Sequence, residues 1–287
     1  MFRPATREQS RLRLTVDGPA GSGKTFSALR FAHALVDAFG GKIAFIDTEH
    51  GSASKYVGEC PDGIPWVFDI LKLVTFSPEK YIQAIEAAGR MGYTVLIIDS
   101  LSHAWEGKGG ALEIKQKVGD SWSAWRHVTP IHNRMIDAIL QSPCHIITTM
   151  RSRMEYIQET DERGKVVIHK VGLAPVQRPG AEYELDIVCD INWAHIMTVS
   201  KSRCSAVADM TVERPGPEFM RPVIEWLTTG VSHQVENMPV SADPVITLDD
   251  LLLLYDADTI LTANNGQIPV TDEELAAITA KLLKLAV

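Results

Sequence analysis

Hydrophobic and polar positions follow two rhythms along the first 150 residues, and the rhythms take turns. "RLRLTVD" places Leu12, Leu14 and Val16 two apart, the period of a strand. "TFSALRFAHALVDAFGG" then runs at helical spacing and stops at Gly40 and Gly41. Short apolar runs follow at "KIAFID" (42–47) and "WVFDI" (66–70). "SPEKYIQAIEAAGRMG" reads as a helix with Ser77 as N-cap and Pro78 at its first position. "YTVLIID" (93–99) is apolar on both faces, as a central parallel strand is. "TPIHNRMIDAILQSP" repeats the capping pattern with Thr129 and Pro130, and "HIITTM" (145–150) reads as a further buried strand. This order predicts an α/β fold, a mostly parallel sheet wound with helices.

Beyond residue 150 the pattern changes. "MEYIQETDERGKVVIHKV" has two alternating arms around a polar turn with Gly164, which predicts a β-hairpin insertion. "VENMPVSADP" (235–244) has the composition of a linker, and the stretch from Val245 holds one or two amphipathic helices. The expected organisation is a core over 1–234, a linker over 235–244 and a small C-terminal helical appendage over 245–287. There are no internal repeats.

Composition narrows the function classes. The chain has 287 residues, 45% of them hydrophobic, enough for one large α/β domain and a small addition. The net charge of −8 requires any nucleic-acid contact to come from a local basic patch. Cys60, Cys144, Cys189 and Cys204 lie far apart with no C-x-x-C, which argues against a zinc site or a disulfide framework and suits a reducing cytoplasm. No signal peptide and no membrane-spanning apolar run is visible.

Between the first strand and helix lies "GPAGSGKT", which fits G-x-x-x-x-G-K-[ST] through Gly18, Gly23, Lys24 and Thr25. Such a loop, here Gly18, Pro19, Ala20, Gly21, Ser22 and Gly23, turns successive N–H groups toward an anion, and the helix that opens at Lys24, Thr25 and Phe26 adds its dipole. Lys24 then reaches the β/γ-phosphates of ATP, and the Thr25 hydroxyl ligates Mg²⁺. Asp99, at the end of the apolar run 95–98, falls where a carboxylate holds Mg²⁺ through water. A group that orients or deprotonates water is also needed. The residue after Asp99 is Ser100, so the candidate is Glu49 in "AFIDTEHGS", with an ordinary solvated loop glutamate as the competing reading.

"GPAGSGKT", "AFIDTEH", "LIIDS", "GDSW" (119–122), "HIITTMRSR" and "TVSKSR" (198–203) together resemble the ordered motif set of RecA, the bacterial recombinase, over residues 12–205. The chain is shorter than RecA and lacks its N-terminal helical arm. "RPGAEYELDIV" and the bare core resemble phage-encoded RecA-like ATPases, among them single-strand-annealing proteins. The resemblance implies a RecA-like sheet and an ATPase stimulated by DNA. It implies a ring or filament with ATP between protomers, and the host cytoplasm as location. It makes Glu49 the water-activating glutamate and sets Thr148 and Thr149 where RecA senses the γ-phosphate with an Asn-Gln pair. Lys201 and Arg203 match two lysines that reach the neighbouring protomer's ATP; a basic strand end on the surface is the competing reading.

In RecA two loops at the sheet edge hold DNA, and they correspond here to about 103–120 and 152–180. The second holds Arg153, Lys165, Lys170 and Arg178 as candidate phosphate contacts, beside Glu155, Glu159, Asp161 and Glu162. Trp122 and Trp125 of "WSAWRH" read as core residues before base platforms, and His103, His127 and His132 show no metal spacing. The expected function is ATP-dependent binding of single-stranded DNA in recombination or annealing, with a single-strand-binding or replication protein as a further partner. The alternatives are an ATP-driven switch acting on a protein partner and a small-molecule kinase, the latter weakened by the lack of an Arg-rich lid.

Overall fold

The computed structural model describes residues 4, 6–7, 9–119, 121–160, 166–231 and 257–265, with 267, 271, 273–275, 277 and 278; over 155–172 it describes backbone alone. The expected linker over 235–244 and much of the appendage lie outside the described residues. One helix of the appendage, α7 (Ala257–Ala263), is described.

The alternating rhythms become β1 (Arg13–Gly18), α1 (Lys24–Phe39), β2 (Ile43–Asp47), β3 (Asp69–Lys72), α2 (Pro78–Arg90) and β4 (Val95–Asp99). Two short helices, α3 (His103–Glu106) and α4 (Ala111–Val118), lead to α5 (Trp125–Gln141). Then come β5 (His145–Thr160), β6 (Val166–Pro175), β7 (Ile187–Ile191), β8 (Ile196–Ser202), β9 (Thr211–Glu213) and α6 (Pro217–Thr228). The sheet order is β3-β2-β4-β5-β1-β7-β8-β9. The first six strands run parallel, and β8 and β9 close the edge antiparallel.

β4 shows why the sheet is central. Val95 and Ile97 join the core against α1 and α6, while Leu96 and Ile98 join the core against α2 and α5. A strand apolar on both faces buries each side chain for roughly 1.5–3 kcal/mol. β1 instead alternates. Leu14 and Val16 face α1, yet Arg13, Thr15 and Asp17 on its other face are also buried. The expected hairpin is present, and its first arm is not a separate strand. β5 leaves the sheet without a break and continues as one arm, paired with β6 from Ser152 to Thr160.

Four expectations are corrected. The run 66–70 is not a strand from its start: β3 begins at Asp69, and Trp66 is a core residue with its ring 5.0 Å from that of Phe26. α5 does not start at Thr129–Pro130 but at Trp125, with Pro130 inside it. The buried period of Val128, His132, Met135 and Ile139 extends past the proline, whose fixed φ is helical and whose missing N–H removes one bond. The first DNA-loop candidate, 103–120, contains the helices α3 and α4. Trp122 is not in the core: it is 86% exposed. No helix among the described residues is long and apolar enough to cross a membrane.

Candidate functional site

The turn from β1 into α1 is the densest gathering of the expected residues. Gly23 caps α1 at φ 94, in the left-handed region, and a Cβ there would sit 3.3 Å from His195 Nδ1. A Cβ on Gly18 would meet the carbonyl oxygen of Ile191 at 2.3 Å, so the loop can pass β7 only with glycine there. Lys24 Nζ donates to the Pro19 carbonyl at 2.8 Å, inside its own loop. Burial pulls the Lys24 ammonium below its ordinary value, against the attraction of Asp99 and Glu49. Phe26 turns its ring away toward Trp66 and Tyr56, so its backbone is what it can offer a phosphate.

Parallel strands deliver the remaining groups to the same edge, because β1, β2 and β4 end there and β5 passes through it into the arm. Thr25 Oγ1 donates to Asp99 Oδ2 at 2.6 Å, and the Thr149 hydroxyl donates to Asp99 Oδ1. Burial pushes the Asp99 carboxyl up, and these two hydroxyls oppose it. Thr149 is therefore placed on the carboxylate, and the Thr148 hydroxyl is buried with no hydrogen-bond partner. Ser22 Oγ, Asp47 Oδ2 and Asp17 Oδ2 are also buried without partners. Ser22 lies in the loop and Asp17, Asp47 and Thr148 at or near the strand ends beside it, and a polar ligand would complete such atoms. A hydroxyl and a carboxylate side by side are hard oxygen donors that fit Mg²⁺.

Glu49 lies two residues past β2, and its N–H donates to Asp47 Oδ1 at 2.7 Å. Its carboxylate is clasped by Arg151, from Nε at 3.0 Å and Nη2 at 2.5 Å. Ser100 Oγ donates to it at 3.3 Å, and His103 Nε2 lies 4.0 Å away. Burial pushes this carboxyl up, but the ion pair with Arg151 outweighs it and holds Glu49 below the usual carboxylate range. A base held that way accepts protons poorly until the arginine moves.

Several groups here were invisible in the sequence pattern. Asp17 accepts from Ser152 Oγ at 3.1 Å, stands in register with Asp190, and is pushed up to about 8 by burial and by that facing carboxylate. His195, in the β7–β8 turn, hydrogen-bonds through Nδ1 to the Ser22 carbonyl at 2.9 Å. His103 lies against the Thr48 hydroxyl, with Nδ1 at 2.6 Å. The one signal for Arg151 was its place directly after a buried strand, in "TTMRSR".

Lys201 and Arg203 are not brought to this edge. β8 runs antiparallel to β7, so Lys201 pairs with Val188 toward the far end of the sheet. Lys201 Nζ donates to the carbonyls of Tyr183 and Leu185, and Arg203 Nη1 donates to Asp186 Oδ1 at 2.9 Å. Of the candidate DNA contacts, Arg153 stands exposed on the arm, 3.5 Å from Glu106, and Arg178 donates to Asn133 Oδ1 at 3.2 Å. Lys170 lies on β6 opposite Tyr156, and Lys165 lies outside the described residues.

Residues 10–210 match a family model, AAA_24, described as an AAA domain. The chain belongs to this AAA domain family. The AAA domain so defined spans the loop at 18–25, Glu49, Asp99 and the β5–β6 arm, and the chain is a P-loop ATPase. Among matching solved structures is a KaiC-like protein from the hyperthermophilic archaeon Pyrococcus horikoshii OT3. It is 14% identical, covers 69% of this chain and 82% of its own, and superposes with a TM-score of 0.42. No curated protein matches significantly.

Proposed function

We propose that this ATPase binds single-stranded DNA and uses ATP to control that binding, in recombination or strand annealing. The observation that carries the reading is the path of β5. Thr149, Arg151 and Arg153 are two apart and so share one face of the strand. The first touches Asp99, the second holds Glu49, and the third stands on the arm. A polyanion drawn to the arm competes with Glu49 for Arg151, which frees the carboxylate to take a proton from water.

In this reading the loop N–H groups and Lys24 bind the phosphates of ATP, and Lys24 leaves the Pro19 carbonyl to do so. Thr25 and Asp99 hold Mg²⁺, which neutralises phosphate charge when bound. Glu49 orients and deprotonates the attacking water. Lys201 and Arg203 serve a neighbouring protomer's ATP in a ring or filament, since within one chain they sit away from the phosphate loop. Recruitment by a single-strand-binding or replication protein in the host cytoplasm belongs to the same proposal, as does the division into core, linker and appendage. The net charge of −8 favours a second reading, a switch on a protein partner.

Fluorescence anisotropy of a labelled oligonucleotide, with a non-hydrolysable ATP analogue and a salt series, tests the reading. Three or four phosphate contacts give a slope of roughly −2 to −3 in log affinity against log salt. Reversing Arg153 and Lys165 to Glu should weaken binding and reduce that slope. No binding at about 50 mM salt, a concentration that favours phosphate contacts, would leave the protein-partner switch. Strictly monomeric ATP-bound protein in light scattering would remove the trans roles of Lys201 and Arg203.

A further inference from the structure

A second concave surface lies beyond the nucleotide edge, where α3, the start of α5 and the base of the arm meet. It is a hollow of about 520 Å³, lined by Trp105, Trp122, Trp125, Arg126, Arg178 and Pro179 among others. Trp105 and Trp125 stack with ring centroids 5.5 Å apart and planes 12° from parallel. Trp105 is buried and Trp125 half-buried, whereas Trp122 is 86% exposed. Among the described residues, no lining side chain carries a carboxylate, although the chain as a whole has a net charge of −8. The neighbouring Glu106 is engaged with Arg153. Among the described residues, Arg126 and Arg178 hydrogen-bond to His127 and Asn133 and not to a carboxylate.

We propose that this hollow stacks one unpaired base of the bound strand, with Trp122 as the platform, while Arg126 and Arg178 hold the phosphates on either side of it. The proposal rests on the single-strand reading above and names the part of the chain that grips a base rather than the backbone. The chemistry favours that occupant. A large exposed indole beside a second aromatic plane offers a π-face that any base can use, and guanidinium forks match phosphate oxygens. A duplex hides its base faces, so the hollow selects single strands.

The hollow is also wired to the ATP edge. Gln177, one residue before Arg178, accepts through Oε1 from His132 Nε2 at 3.0 Å and donates through Nε2 to the Leu101 carbonyl at 3.0 Å. Leu101 N–H in turn donates to the Thr149 carbonyl at 2.9 Å. Trp105 stands two residues from His103, which faces Glu49.

The test compares a thymidine oligonucleotide with one of the same length and charge in which the bases are absent, each bound to the full chain with a non-hydrolysable ATP analogue. The wild-type protein should prefer the base-bearing strand by about 5- to 150-fold, the span of one stacked base. Trp122→Ala should lose that preference, and Trp122→Phe should restore part of it. Arg126→Ala should weaken both strands alike and lower the salt slope. A wild-type protein that binds both strands equally, or a Trp122→Ala protein that keeps the full preference, overturns the proposal and leaves the phosphate-binding arm standing. Failure to bind either strand overturns this proposal together with the single-strand reading.

Discussion

At the start of β1 the Arg13 guanidinium is almost fully buried, and its two Nη groups donate to the carbonyls of Leu12, Cys144, Leu140 and Ser142 at 2.5–3.0 Å, while its Nε has no partner. At the end of the same strand Asp17 is as deeply buried, yet one of its oxygens has no partner. The contrast extends along both edges. His145, beside Arg13, accepts from the Leu12 N–H at 3.1 Å, and burial with Arg11 and Arg13 pushes it down to about 3, so it is neutral. Across the sheet, Ser22, Asp47 and Thr148 keep buried oxygens unpaired. One edge spends its polar groups on the fold, tying the α5–β5 turn to β1. The other carries several buried oxygens that no described residue satisfies.

Removing groups from each edge should separate the two roles. Glu49→Gln should cut ATP turnover by about 10²–10⁴-fold while ATP still binds, because the amide keeps the shape but takes no proton. Lys24→Ala, by contrast, should lose both binding and turnover, and steady-state turnover with a nucleotide-binding titration reads the difference. A severe loss on Ser100→Ala with none on Glu49→Gln would assign the base elsewhere.

Arg13→Leu should act on the opposite edge and spare the chemistry. Stranding several buried carbonyls costs on the order of 3–5 kcal/mol of stability, while turnover per folded molecule stays near wild type. Denaturant unfolding and turnover corrected for folded fraction check it. A stable Arg13→Leu protein with lost turnover would dissolve the distinction between the edges.

The smallest effect should come from Asp17→Asn. The folded carboxyl titrates near 8 and the unfolded one near 4, so the native state holds an extra proton between them. That stability is complete below the unfolded value and is lost as pH rises through about 8. Between pH 7 and 9 the wild-type protein should lose stability on the order of 1 kcal/mol that Asp17→Asn retains. Parallel unfolding curves at the two pH values would show that Asp17 does not hold this proton.

What the sequence made legible was local. The phosphate loop, the Ser77–Pro78 start of α2 and the doubly apolar β4 each rest on neighbours within a few residues, and each was found where the pattern put it. The start of α5 was missed because Pro130 is a strong local stop signal, while the buried stripe that overrides it is tertiary. Arg151, Asp17 and His195 were missed for a different reason. Their partners are 102, 173 and 173 positions away in the cases of Arg151 with Glu49, Asp17 with Asp190, and His195 with Ser22. Only strand order and register bring them together. Trp122 is assigned inward from the helical pattern beside it, and that local pattern does not separate an exposed indole from a buried one.

The buttress under the phosphate loop has a thermodynamic consequence. Asn192 Oδ1 accepts from the N–H groups of Ala194 and Ile196 at 2.9 and 3.1 Å, which stiffens the turn that aims His195 at the Ser22 carbonyl. Lys24 rests meanwhile on the Pro19 carbonyl. Contacts that fix a loop before association lower the conformational entropy it has to lose on binding, and these bonds act in that sense. In the role proposed for Lys24, loading exchanges one hydrogen bond for another, a loop carbonyl for a phosphate oxygen.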